Sequence, residues 1–135
     1  MYRCAVLYVL QVHQATYVNH HGCSVSILMA CPRFYDAARF FLEAYPSKTF
    51  VFSNSEGDWE LRGGLGAGPG AGRAFGAMAR WLAARQAGVT RARSHRRPGA
   101  TGDVFLAAEV NLVAEALYEG KANMVNRVLP LVSGA

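Results

Sequence analysis

Apolar and polar positions fall along the chain in blocks, and each block predicts an element. Cys4 to Val12 is apolar and rich in valine and tyrosine, which predicts a strand. His13 to His21 is polar and reads as a connection. Cys23 to Ala30 (CSVSILMA) is a second strand candidate. Pro32 sits near the start of a helical pattern, where proline is tolerated. Phe34, Ala37, Ala38 and Phe41 recur at the spacing of one helix face, and Pro46 ends that helix. Thr49 to Ser53 is β-rich, Asn54 to Gly57 is a turn, and Asp58 to Arg62 is a candidate hairpin partner. Arg73 to Gln86 predicts a helix with Phe75, Met78, Ala79 and Leu82 as its apolar stripe and Arg73 and Arg80 on another face. Gly88 is a natural C-terminal stop for it. Val89 to Arg93 reads as a short strand, Ser94 to Gly102 as a basic loop, and Val104 to Val110 as either strand or helix. Asn111 to Glu119 is helical, and Val125 to Val132 is a last apolar segment interrupted by Pro130. The sum is an α/β (α+β) fold: a mixed sheet flanked by helices, in one domain over residues 1–135.

Composition narrows the class. The 135 residues are 52% hydrophobic and 17% charged, a globular balance rather than a disordered one. Apolar runs stay short of the roughly 18 residues a spanning helix needs, so no membrane partner is expected, and the expected location is cytoplasmic. Cys4, Cys23 and Cys31 fit no disulfide framework and are expected to be reduced. The net charge of +5 lies wholly in residues 63–135; residues 1–62 carry equal numbers of acids and bases. The basic half is also the glycine-rich half, which suits a polyanionic ligand.

Gly63 to Gly72 (GGLGAGPGAG) runs directly into the amphipathic helix. Glycine lets a backbone approach a ligand closely, and the first helical N–H groups lack intrahelical partners. Together with the helix dipole they make an anion site, most readily for phosphates. A flexible linker is the other reading. No Gly-Lys-Ser/Thr follows, so this is not a P-loop, and the acidic residue that a dinucleotide fold places about twenty positions on is absent.

Gly68-Pro69-Gly70-Ala71-Gly72-Arg73-Ala74-Phe75 resembles the acetyl-CoA loop of the GNAT superfamily of N-acetyltransferases, with Gly70 and Gly72 at its two small positions. The helix FGAMARWLAARQAGV resembles that family's next helix, and Asn111 to Glu119 (NLVAEALYE) resembles its Asn-x-x-Ala-x-x-Leu-Tyr-Glu. The likeness covers residues 63–120 and implies an acyl-CoA N-acyltransferase-like fold with acetyl-CoA as cofactor. It implies that backbone N–H groups around Gly68, Gly70, Ala71, Gly72 and Arg73 hold the pyrophosphate, that Asn111 meets the pantetheine side, and that Tyr118 protonates the departing thiolate. The acceptor would be an amine on a small molecule or peptide. Asn111 and Tyr118 are seven apart, which places them on one face of a continuous helix. Glu60 or Asp58 stands where the family often has a carboxylate base, though a solvated hairpin also accounts for both.

Three further features carry competing readings. His20, His21, Cys23 and Cys31 fit no standard zinc spacing, and no metal is expected. Arg91, Arg93, Arg96 and Arg97 form a basic run with no interleaved aromatics in the linear sequence; it reads as a solvated loop, a grip on a cofactor's phosphate, or a nucleic-acid contact. The apolar helices also suit a subunit interface, as in a homodimer or a structural assembly. Residues 1–47 carry no motif that names an acceptor.

Overall fold

A computed structural model describes residues 7–12, 24–54 and 71–132, with side chains described from residue 30 to 53 and from 72 to 132. The elements in order are β1 (Leu7–Val12), α1 (Ser24–Ala44), β2 (Thr49–Asn54), α2 (Ala71–Ser94), β3 (Val104–Ala107) and α3 (Val113–Tyr118). A π-helical turn (Met124–Val128) and α4 (Leu129–Val132) follow. Helix and strand are mixed, as the α/β reading expects. The strands form one sheet in the order β1-β2-β3. β2 and β3 run parallel, with Phe50 opposite Val104 and Phe52 opposite Leu106. A parallel pair needs a long crossover, and α2 lies within it.

Contacts divide the chain into two compact units, 1–53 with 84–107 and 54–83 with 108–135. In the first, Phe34, Ala38 and Leu42 of α1 pack with Phe50 and Phe52 of β2, Val104 of β3, and Val89 and Ala92 from the second half of α2. Phe50 and Phe52 alternate with the half-buried Val51 and Ser53, the period of a strand with one face on the core. The aromatic rings interlock: Phe41 lies 4.5 Å from Phe50, and Phe34 meets Phe52 edge-on at 5.9 Å.

Two expectations about this unit are corrected. Residues 24–30 are helix, not strand. The buried residues Ala30, Phe34, Ala38 and Leu42 step by four, so the apolar segment belongs to the stripe that follows it. Pro32 lies inside this helix, where it supplies no N–H to the ladder. The second correction is at Gly88, which does not end α2: the helix continues through Val89–Arg93 to Ser94. Gly88 is small for a different reason. A Cβ there would meet the Cys31 carbonyl oxygen and sit 2.9 Å from the Tyr35 nitrogen. Glycine lets the α2 backbone press against α1.

One turn before Gly88, Arg85 is 0% exposed, its guanidinium 4.2 Å from the Phe34 ring centroid. Burial lowers its pKa to about 10, so the group stays charged at neutral pH and the stack is a true cation–π contact.

The second unit centres on the first half of α2. Ala74, Phe75, Ala79 and Leu82 pack on Met124 and Val128, with Met78 and Trp81 half-buried beside them. This is the stripe that the sequence pattern predicts. Asn123 anchors the C-terminal segment: its Oδ1 accepts from the Val125 N–H (2.9 Å), and its Nδ2 donates to the Leu112 carbonyl (2.7 Å).

Gly88→Ala is expected to destabilise the chain by about 2 kcal/mol or more, because overpacking against a backbone outweighs the roughly 1 kcal/mol that alanine gains in a helix. Urea unfolding checks this, and an unchanged midpoint would mean that α1 and α2 are not in close contact.

Candidate functional site

The candidate cofactor site lies in the second unit. Glu60, Gly68 and Gly70 fall outside the described residues. Ala71 is the first residue of α2, so the helix begins within the glycine run. Gly72 and Arg73, in the first turn, are exposed, and a Cβ on Gly72 would meet nothing within 4 Å among the described residues. The N–H groups of this turn have no intrahelical acceptors. No acidic side chain occupies the turn to compete for them.

Asn111 and Tyr118 do not share a helix face. α3 spans only Val113–Tyr118, and Asn111 precedes it, exposed, its Nδ2 donating to Glu109 Oε1 at 2.9 Å. At the start of α3 the Leu112 carbonyl accepts both the Ala116 N–H and Asn123 Nδ2. At its end Gly120 adopts φ +64°, a left-handed conformation natural to glycine, and the chain turns so that the Lys121 N–H reaches the Glu115 carbonyl. The Lys121 ammonium pairs with Glu119 at 2.7 Å and Glu115 at 3.5 Å; the hydrogen bond to Glu119 is the larger cause of its raised pKa. Tyr118 is 86% exposed, and its hydroxyl makes no hydrogen bond among the described residues. Its hydroxyl is open to a ligand.

The basic run belongs to the first unit and is more structured than its sequence suggests. Arg91 and Arg93 sit in the last turn of α2, where cations complement the helix dipole. Arg93 grips Asp103 with both arms, at 2.9 and 3.0 Å. Arg96 donates to the Gly102 carbonyl at 3.0 Å and lies 3.5 Å from the same carboxylate. Asp103 Oδ1 also accepts from the Val104 N–H, so this acid ties the end of α2 to the start of β3.

Tertiary structure supplies the aromatics that the linear run lacks. Arg91 lies over the Tyr35 ring at 4.9 Å and Arg93 over Phe105 at 4.7 Å. Tyr35, Arg39, Asp103 and Phe105 had no place in the sequence-level candidate set, because they are distant from the run or look like ordinary helix and strand residues. Cys31 is a free, half-buried thiol, and the described residues hold no group of three His, Cys, Asp or Glu side chains placed for a metal. None of the described helices is long and apolar enough to cross a membrane.

Asp103→Ala is expected to lower the unfolding free energy by about 1–2 kcal/mol, a figure kept small because Arg93 is partly solvent-screened. Chemical denaturation measures it, and no change would show the clasp to be ornamental.

Compared with protein-family models, with curated proteins and with solved structures, the chain matches none of them.

Proposed function

We propose that the second unit binds acetyl-CoA and that the protein is an N-acetyltransferase or a binding relative of one, with an acyl-CoA N-acyltransferase-like arrangement. The observation that carries this reading is the start of α2 at Ala71, inside the glycine run, with Gly72 and Arg73 exposed in a first turn that contains no acid of its own. These residues fit a pyrophosphate: first-turn N–H donors, a helix dipole and a guanidinium, with no described residue within 4 Å of a Cβ placed on Gly72. The order of glycine loop, α2, β3 and the Asn111 to Tyr118 segment supports it.

In this reading Gly68, Gly70, Ala71, Gly72 and Arg73 hold the phosphates, and Asn111 turns from Glu109 to the pantetheine amide. When bound, the cofactor supplies the acetyl group as a thioester. A C–N bond then forms to the acceptor amine as the C–S bond breaks. Glu60 takes the proton the amine loses, and Tyr118 donates one to the departing thiolate. An amine on a small molecule or peptide is the acceptor.

Calorimetry and thermal shift with acetyl-CoA test the proposal. Arg73→Glu is expected to weaken binding about tenfold or more, the effect of exchanging a charge-assisted contact for repulsion. Tyr118→Phe is expected to leave stability within about 0.5 kcal/mol, given its exposure, while slowing turnover about tenfold or more with little change in KM. Absence of heat and of any shift at millimolar acetyl-CoA would overturn the reading.

A further inference from the structure

A second place in the molecule is built to receive an anion, and it lies entirely in the first unit. Arg39 and Glu43 of α1 and His95, Arg96 and Arg97, just beyond α2, line one shallow depression. Its floor is Leu42 and Ala92, both buried and apolar. Four of the five polar residues are basic. The one acid, Glu43, is already paired with Arg39.

The donors are held in place. Arg39 Nη1 donates to the Tyr35 hydroxyl at 3.2 Å, and that hydroxyl lies 3.4 Å from His95 Nδ1. That contact holds the His95 ring through Nδ1 and leaves Nε2 outside it. The ring is further fixed edge-on to Tyr35, centroids 6.0 Å apart. Arg96 is tethered by Gly102 and Asp103 on one side. Asp103 is taken up by Arg93, and the Arg97 side chain makes no hydrogen bond or ion pair among the described residues. A concave surface of fixed N–H donors over an apolar floor, with one spare cation, matches a tetrahedral oxyanion.

We propose that Arg39, His95, Arg96 and Arg97 bind the phosphate group of a small phosphorylated anion. The anion takes N–H donors from Arg96 and Arg97, meets His95 at Nε2, and competes with Glu43 for Arg39. This site is independent of the coenzyme A reading, since it shares no residue with it.

Titration of the full chain with sodium pyrophosphate and with AMP, against sodium chloride at matched ionic strength, tests it, with arginine Nε–H and histidine ring NMR signals as the local readout. The signals of Arg96, Arg97 and His95 are expected to shift while that of the exposed Arg80 does not. Arg97→Ala is expected to weaken binding about tenfold, and Glu43→Gln to tighten it about threefold by removing the competing charge. Neither side chain supports the core, so both variants keep the fold. Arg80→Ala removes the same charge elsewhere and is expected to change nothing; an equal loss there would reduce the effect to the general field and overturn the proposal. No shift at about 20 mM of either probe, well beyond the millimolar range of weak sites, also overturns it. So does binding of a single-stranded oligonucleotide with neither small probe bound. Pyrophosphate binding abolished by Arg73→Glu but not by Arg97→Ala would place the anion at the start of α2 and overturn this site alone.

Discussion

The contact on which the first unit depends is the approach of α1 and α2 at Gly88. With no side chain at that position, the backbone of one helix sits against the Cys31 carbonyl and Tyr35 nitrogen of the other. That closeness sets what flanks it. Arg85 is brought over Phe34 and sealed from water. One turn on, Arg91 is brought to the Tyr35 ring, and so is His95, just past the end of α2. A methyl group at residue 88 would pry apart both the buried stack and the basic surface.

This explains where the sequence was legible and where it misled. Local periodicity placed Phe34, Ala38 and Phe41 on one helix, the Phe75–Leu82 stripe on another and β2 in its segment, because those patterns follow from burial of one face; a strand also lies within the Cys4 to Val12 segment. The same logic failed at Gly88. Glycine serves equally as a cap and as a point of close approach, and only the partner helix decides between them. Residues 24–30 failed for a related reason: a short apolar run has no period of its own, and its helicity follows from the stripe that it extends.

The candidate sites divide along the same line. Gly72, Arg73 and Tyr118 are exposed, as a ligand-facing role requires, and their placement follows from local sequence. The shared face of Asn111 and Tyr118 did not survive, because α3 begins at Val113 and leaves Asn111 outside it. Of the oxyanion depression only Arg96 and Arg97 were legible, as part of the basic run. His95, Arg96 and Arg97 are 56 to 58 residues from Arg39, and nothing in a linear run of arginines reveals which of them a distant tyrosine will organise.

The Asp103 clasp also bears on how the chain finds its sheet. The Phe50–Val104 pairing joins residues more than fifty positions apart, so its closure entropy is high. The Arg93–Asp103 contact closes a loop of only nine residues, and the Asp103 carbonyl is the acceptor for the Phe50 N–H. Once the clasp has formed, β3 is already anchored at its leading end when β2 arrives. A local, rapidly closed ring thereby stands in for part of the search that a long-range parallel pairing would otherwise make unaided.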